Sequence, residues 1–274
     1  MIKLFFEFGV GARLGFVIVI LFLFAVFIGP FFVPYSEVDI VGKVWESPSS
    51  IHLLGTDSVG RDLLARILAG GRMTVIVSFI ATCGSFLLGC PLGIAAAVIG
   101  GWFDIVVSRI VDAFMAFPSL ILALIVLSAI GTSIPALLIV MSILSSTIVY
   151  RLTRAVAADV AAMEYIEIAR LRGEPMTWFL FREIMPNVFP TLLTEFGLRF
   201  VFAAILISSL SFLGLGIQPP FADLGGMVKE NSRAILFGRM APVLPAVTLA
   251  ILAVGVNLVV DGLLRRNADL DLRQ

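Results

Sequence analysis

Apolar residues in this chain do not alternate with polar ones; they run on without a break. Five stretches contain no Asp, Glu, Lys or Arg: Leu14–Ser36, Met73–Phe103, Ala113–Tyr150, Phe200–Ala222 and Met240–Val260. A helix needs about 20 predominantly apolar residues to cross the hydrocarbon core. The run Ala113–Tyr150 is too long for one crossing, and Gly131-Thr-Ser-Ile-Pro135 divides it. Pro135 suits the first turn of a new helix, where a missing N–H costs nothing. The pattern predicts six spans, roughly 14–33, 74–99, 105–129, 134–152, 191–213 and 243–264, the fifth interrupted by Glu195 and Arg199. Only helices or closed barrels satisfy their backbone in lipid, and these runs lack the two-residue alternation of barrel strands. The fold class expected is therefore all-α, a polytopic membrane protein.

Between the spans the polar segments have character. Residues 34–72 form a first loop with Pro34, Pro48 and the turn-rich LGTDSVGRD, followed by a short amphipathic helix, LLARILAGGR, with Asp62 as its N-cap. Pro118 falls inside the third span and predicts a kink. Residues 214–242 hold GLGIQPPFADLGG, which cannot be a regular helix. Residues 163–187, MEYIEIARLRGEPMTWFLFREIMPN, are unusually polar for this chain. Val160, Met163, Ile166, Ile168 and Ala169 recur at helical spacing. Gly173 ends that short helix, and Pro175 opens a second, Met176–Ile184, ended by Pro186-Asn187. The result is a helix, a tight elbow and another helix at the membrane surface. Read alone, it could equally be a solvated amphipathic helix.

Composition agrees. Of 274 residues 60% are hydrophobic and 14% charged, with mean hydropathy +1.10, against roughly 25% charged in ordinary chains. The first span is longer than a typical signal-peptide core and reads as a retained anchor. Net charge is zero and there is no polybasic run, so nucleic acid is not an expected partner. With the N-terminus in the cytoplasm, inner segments hold eleven Lys and Arg and outer segments seven, which favours both termini inside. The organisation expected is 1–72 anchor and outer loop, 73–264 core transmembrane domain with the cytoplasmic loop 153–190, and 265–274 a cytoplasmic tail.

Candidate chemistry is sparse. Cys83 and Cys90 lie seven residues apart on one helix, too far to bridge, and read as packing. His52, the single histidine, reads as a solvated loop residue. Glu195 and Arg199, near the inner end of the fifth span, read as a structural ion pair or as snorkelling charges; Arg109 and Asp112 read the same way. Asp261 could meet the arginines of the cytoplasmic loop or simply water. Phe114, Met115, Phe117 and Pro118 could line a passage, with packing the default. Gly84, Gly89 and Gly93 would allow close helix contact, internal or with another subunit. No phosphate loop, zinc motif, nucleophile elbow or C-x-x-C occurs, so neither cofactor binding nor catalysis is expected of this chain.

Several of these stretches together resemble one family. Glu167-x-Ala169-x-x-x-Gly173, with Pro186 thirteen residues on, is similar to the EAA loop of ABC-importer permeases, with Ile168, Glu183 and Met185 departing from its general form. EYIEIARLRG and REIMPN are similar to the variant in the dipeptide, oligopeptide and nickel group. LGTDSVGRD at 54–62, SFLGLGIQPP at 211–220 and NLVVDGLLR at 257–265 resemble that group in the same order, with Leu224 and Leu270 as departures. The resemblance implies a type I importer permease fold, with the first span packing around a partner permease. It implies coupling through Glu164, Tyr165, Glu167, Ala169, Arg170, Arg172, Gly173 and Pro186, and an outer-loop motif of Gly55, Thr56, Asp57, Gly60, Arg61 and Asp62. It further implies a homologous second permease, two ATPase subunits using ATP and Mg, an extracytoplasmic solute-binding protein, and small peptides or nickel as cargo in a bacterial inner membrane. An ion-gradient-driven secondary transporter is the alternative. That class often has inverted repeats and mid-membrane charges, and neither is evident here.

Overall fold

The computed structural model describes residues 9–164, 166, 168, 172–173, 175 and 178–271. Eight α-helices organise it: α1 Val10–Ile28, α2 Leu63–Ile99, α3 Gly101–Met115, α4 Ser119–Ile130, α5 Ile134–Ala161, α6 Met185–Leu213, α7 Leu224–Asn231 and α8 Val243–Asp271. Among the described residues there is no strand, only two isolated bridges in the first loop. Five helices are long and apolar enough to cross a membrane, α1 with its 3₁₀ extension, α2, α5, α6 and α8; the bent pair α3–α4 passes the same test only when taken together.

Direction follows from which residues meet. A Cβ on Gly89 would lie 2.8 Å from the Ser146 carbonyl and from Val149 Cβ, and one on Gly93 would lie 2.8 Å from the Tyr150 carbonyl. Gly84 faces Ser142 in the same way. Positions rising along α2 therefore meet positions rising along α5, and the two helices run parallel. The chain must return between them, and α3–α4 makes that return. The three glycines remove the side chains that would hold α2 and α5 apart, so this contact is internal. On the other side of α2, Phe86 packs on Phe196, while Cys90 and Ile94 pack among Ile184, Val188 and Leu192, so α6 runs antiparallel. Helix α1 packs on α8 of the same chain: Gly15 faces Gly255 and Leu258, and Gly255 faces Ile18. The bundle has two poles. At one lie the 32–62 and 214–242 loops; at the other lie the ends of α2 and α5, the start of α6 and the 162–184 elbow.

Several expectations change. The helix after Asp62 is not separate, because it runs unbroken into the second span as α2. Its cap is as expected, Ala65 N–H donating to Asp62 Oδ2 at 2.9 Å. At about 1.5 Å per residue, α2 is roughly 55 Å long and stands well clear of a ~30 Å hydrocarbon core. The third span is not one kinked helix. It breaks at Ala116-Phe117-Pro118 and turns by 87°, because Pro118 has no N–H to give and pushes Phe117 out of the helical region. Pro186 does not end a helix. It sits in the first turn of α6, which a π-helical turn, Phe179–Ile184, leads into directly. The fifth crossing thus begins well before residue 191. Pro135 opens α5 as expected, with Ser133 capping Ala136 N.

Candidate functional site

The loop pole is a closed ionic lattice. Asp57 is 0% exposed. Its Oδ1 accepts from Val59 N at 2.8 Å and Arg61 N at 2.9 Å; its Oδ2 accepts from Arg61 Nε at 2.7 Å and Arg66 Nη1 at 2.6 Å. Burial pushes this carboxyl up, but the two backbone N–H groups and the two guanidiniums outweigh it and hold it below the ordinary carboxylate range. Arg66, 2% exposed on α2, and Arg61 both reach Glu230 on α7, at 2.6 and 2.9 Å. Asn231 adds a second link, accepting from Trp45 Nε1 at 3.2 Å and Ser58 N at 2.9 Å. Gly55 and Gly60 have φ of +80° and +91°, and a Cβ on either would strike a carbonyl, of Glu46 or Gly42. Glycine is required there. Thr56 ties the turn down by donating to the Lys43 carbonyl and accepting from Glu46 N.

His52 is not solvated. It is 6% exposed, with Nδ1 3.0 Å from Asp62 Oδ1. Asp223, 3% exposed, caps α7 by accepting from Gly225 N and Gly226 N. Burial raises its pKa to about 6, against the lowering effect of those bonds. The lattice joins the 54–62 motif to residues more than 160 positions away. Glu230 and Asn231 were not anticipated, because no local pattern marks partners so distant in sequence; Arg66 was not anticipated either, although it is nine positions from Asp57.

The opposite pole is looser. Helix α5 closes with Ala162 N donating to the Ala158 carbonyl at 3.1 Å. Ile166 is fully buried against Trp178, and Ile184 and Val188 anchor the far side among Cys90, Ile94, Val149 and Val160. Around these anchors Met163, Glu164, Ile168, Arg172, Gly173 and Pro175 are exposed. Arg172 N donates to the Ile168 carbonyl at 3.2 Å, and Gly173 follows at φ +77° with open space around it. That is the helix-ending glycine expected. Pro186 is exposed at the start of α6. Tyr165, Glu167, Ala169 and Arg170 lie outside the described residues.

Within the bundle, Arg199 Nε is 2.7 Å from Glu195 Oε1, and the guanidinium stands over Phe202 at 4.9 Å. The ion pair is present, but the longer α6 places it midway along the helix rather than near an end. Arg109 and Asp112 are both exposed, and they do not pair with each other. The carboxylate that is taken belongs to Asp104, held by Arg154 with Ser108 and Tyr150 beside it. This brackets α3 to the end of α5. Phe114, Met115 and Phe117 are exposed rather than packed in the core, and border a recess of about 190 Å³. Among the described residues no cluster could hold a metal ion.

Six apolar crossings with a rigid polar lattice at one pole and an exposed elbow at the other define a multi-pass membrane transport subunit. Comparison with known proteins gives the family. Residues 89–268 match the binding-protein-dependent transport system inner membrane component family, and the chain belongs to it. It is 31% identical to a dipeptide transport system permease protein of Alkalihalophilus pseudofirmus over 92% of this chain and 83% of that one. It is 32% identical to a glutathione transport system permease protein of Pectobacterium atrosepticum over 89% of this chain and 82% of that one. Its fold is similar to that in the crystal structure of an amino acid ABC transporter with histidines: TM-score 0.56, 18% identity, over 73% of this chain and 94% of that one. The chain is a permease subunit of an ABC importer, and not an enzyme. ATP is hydrolysed by separate ATPase subunits, and a solute-binding protein delivers the cargo.

Proposed function

We propose that this chain is one of two homologous permease halves of a small-peptide importer, and that residues 163–187 are the seat of the ATPase that drives it. Both ends of the chain then lie in the cytoplasm, in keeping with the excess of basic residues on that side. The 34–62 and 214–242 loops face outward to the binding protein. Two ATPase subunits complete the machine. The observation that carries this reading is the elbow: exposed polar and apolar side chains on a short turn, closed on itself at Ile166–Trp178 and pinned at Ile184 to the ends of α5 and α6. A push on such a turn moves two crossings rather than bending a loose loop. The dipeptide and glutathione carriers among its relatives support peptides as the cargo.

The test is co-expression with the neighbouring genes and reconstitution. Gly173→Pro forces φ to about −65° where the chain needs +77°. It should release the ATPase or cut ATP-driven uptake at least about tenfold while the chain still inserts. Uptake and ATPase retention equal to wild type would refute the assignment.

A further inference from the structure

Arg199 lines a half-open cleft of about 420 Å³ between α4, α5 and α6, within the size range of small-molecule sites. Three hydroxyl residues share its wall: Ser119 at the start of α4, Ser145 on α5 and Ser209 on α6. Ile148 and Phe202 supply apolar surface. The cleft shares Ser119, Leu144 and Ile148 with the recess under Phe114, Met115 and Phe117, so the two adjoin beside the broken span. Arg199 stands midway between Met185 and Leu213, about 21 Å from each end of α6. A ~30 Å core centred on this helix leaves Arg199 about 15 Å from either interface, and a charge held there marks a pathway more often than a scaffold.

The geometry also gives the cleft a sign. Arg199 meets its one ion-pair partner among the described residues, Glu195, through Nε. Glu195 sits one turn back and does not line the cleft, whereas Arg199 does. The carboxylate offsets the charge from behind. No described residue bonds the Nη groups, which leaves the planar fork that matches a carboxylate in two-point fashion.

We propose that Arg199 is an anion-docking residue of the translocation pathway, holding the carboxylate of the solute at mid-membrane while Ser119, Ser145 and Ser209 supply hydroxyls along the same wall. This rests on the importer reading but is tested apart from it. In the assembled importer with Cys83→Ala and Cys90→Ala, Ser145→Cys is treated with an anionic sulfonate or a cationic trimethylammonium thiosulfonate reagent. Modification is read as the mass of this chain. After normalisation to a free thiol, the sulfonate should react at least about fivefold faster. That preference should vanish in Glu195→Gln/Arg199→Gln, which removes both charges and leaves no lone carboxylate. No modification, equal rates, or a preference that survives the double variant would overturn the proposal. No modification or equal rates is the result expected if an acidic side chain of the second permease fills the cleft instead. As a second readout, the double variant should lower uptake of alanyl-alanine about tenfold more than uptake of its C-terminal amide. Equal losses would overturn the proposal. If wild type takes up neither, the peptide cargo is wrong and the thiol measurement still decides the anion site.

Discussion

The two poles are built on opposite rules. At the loop pole Asp57, Arg66, Asp62 and Asn231 are buried, and their partners come from three separate segments of chain. At the elbow the exposed residues from Met163 to Pro175 carry no described ion pair, and a glycine with open space around it sets the turn. A buried ion lattice resists change, because loss of one partner strands another charge out of water. An exposed turn has nothing of the kind to lose. One end is made to hold its shape when touched, and the other to be gripped and moved.

The sharpest way to break this contrast is to cut the lattice. Arg66→Met leaves Asp57 and Glu230 short of a cation and should destabilise the folded chain by about 3–5 kcal/mol. The matched change at the elbow, Arg172→Met, should stay within about 0.5 kcal/mol. Thermal unfolding of both variants in one detergent checks the pair; similar losses would erase the distinction.

A pH titration sharpens it next. The folded pKa of Asp223 is about 6, above its ordinary value of 3.8, so the folded chain favours the protonated form. Its contribution is full below about pH 4 and fades as pH rises through 6, by up to about 3 kcal/mol. Asp57 has the opposite sign: its pKa is lowered, so its contribution is present above the ordinary carboxylate range and is lost as pH falls through the folded value. Asp223→Asn should flatten the decline between pH 4 and 7 and leave the acid limb in place, read from unfolding midpoints.

Packing of the rods comes third. Gly89→Ala pushes a methyl to 2.8 Å from the Ser146 carbonyl and should cost about 1–3 kcal/mol. Gly173→Ala meets nothing within 4 Å and should cost only about 1 kcal/mol for its left-handed φ. Yet Gly173→Ala, not Gly89→Ala, should raise the ATP consumed per solute moved.

The same contrast explains what could be read along the chain. The crossings were legible because lipid demands long apolar runs, and Pro135, Asp62 and Gly173 each mark an end through a local rule. Gly84, Gly89 and Gly93 announced a close contact but not its partner. Pro118 announced a kink; it did not announce that α3 beyond the 87° break is held to α5 by the Asp104–Arg154 ion pair, whose partners lie 50 residues apart in sequence. Pro186 was ambiguous, since proline both follows one helix and opens the next. That ambiguity moved the start of α6, and with it the depth of Arg199. The motif at 54–62 was visible as a cluster of turn formers, while its function as one side of a lattice needed Arg66, Glu230 and Asn231 from elsewhere.

Hydrogen exchange on the importer with and without its ATPase subunits tests the division of labour most directly. Residues 162–184 should become protected when the ATPases bind, while 54–66 should exchange slowly in both states. An elbow indifferent to the ATPases, or a loop pole that opens and closes with them, would contradict it.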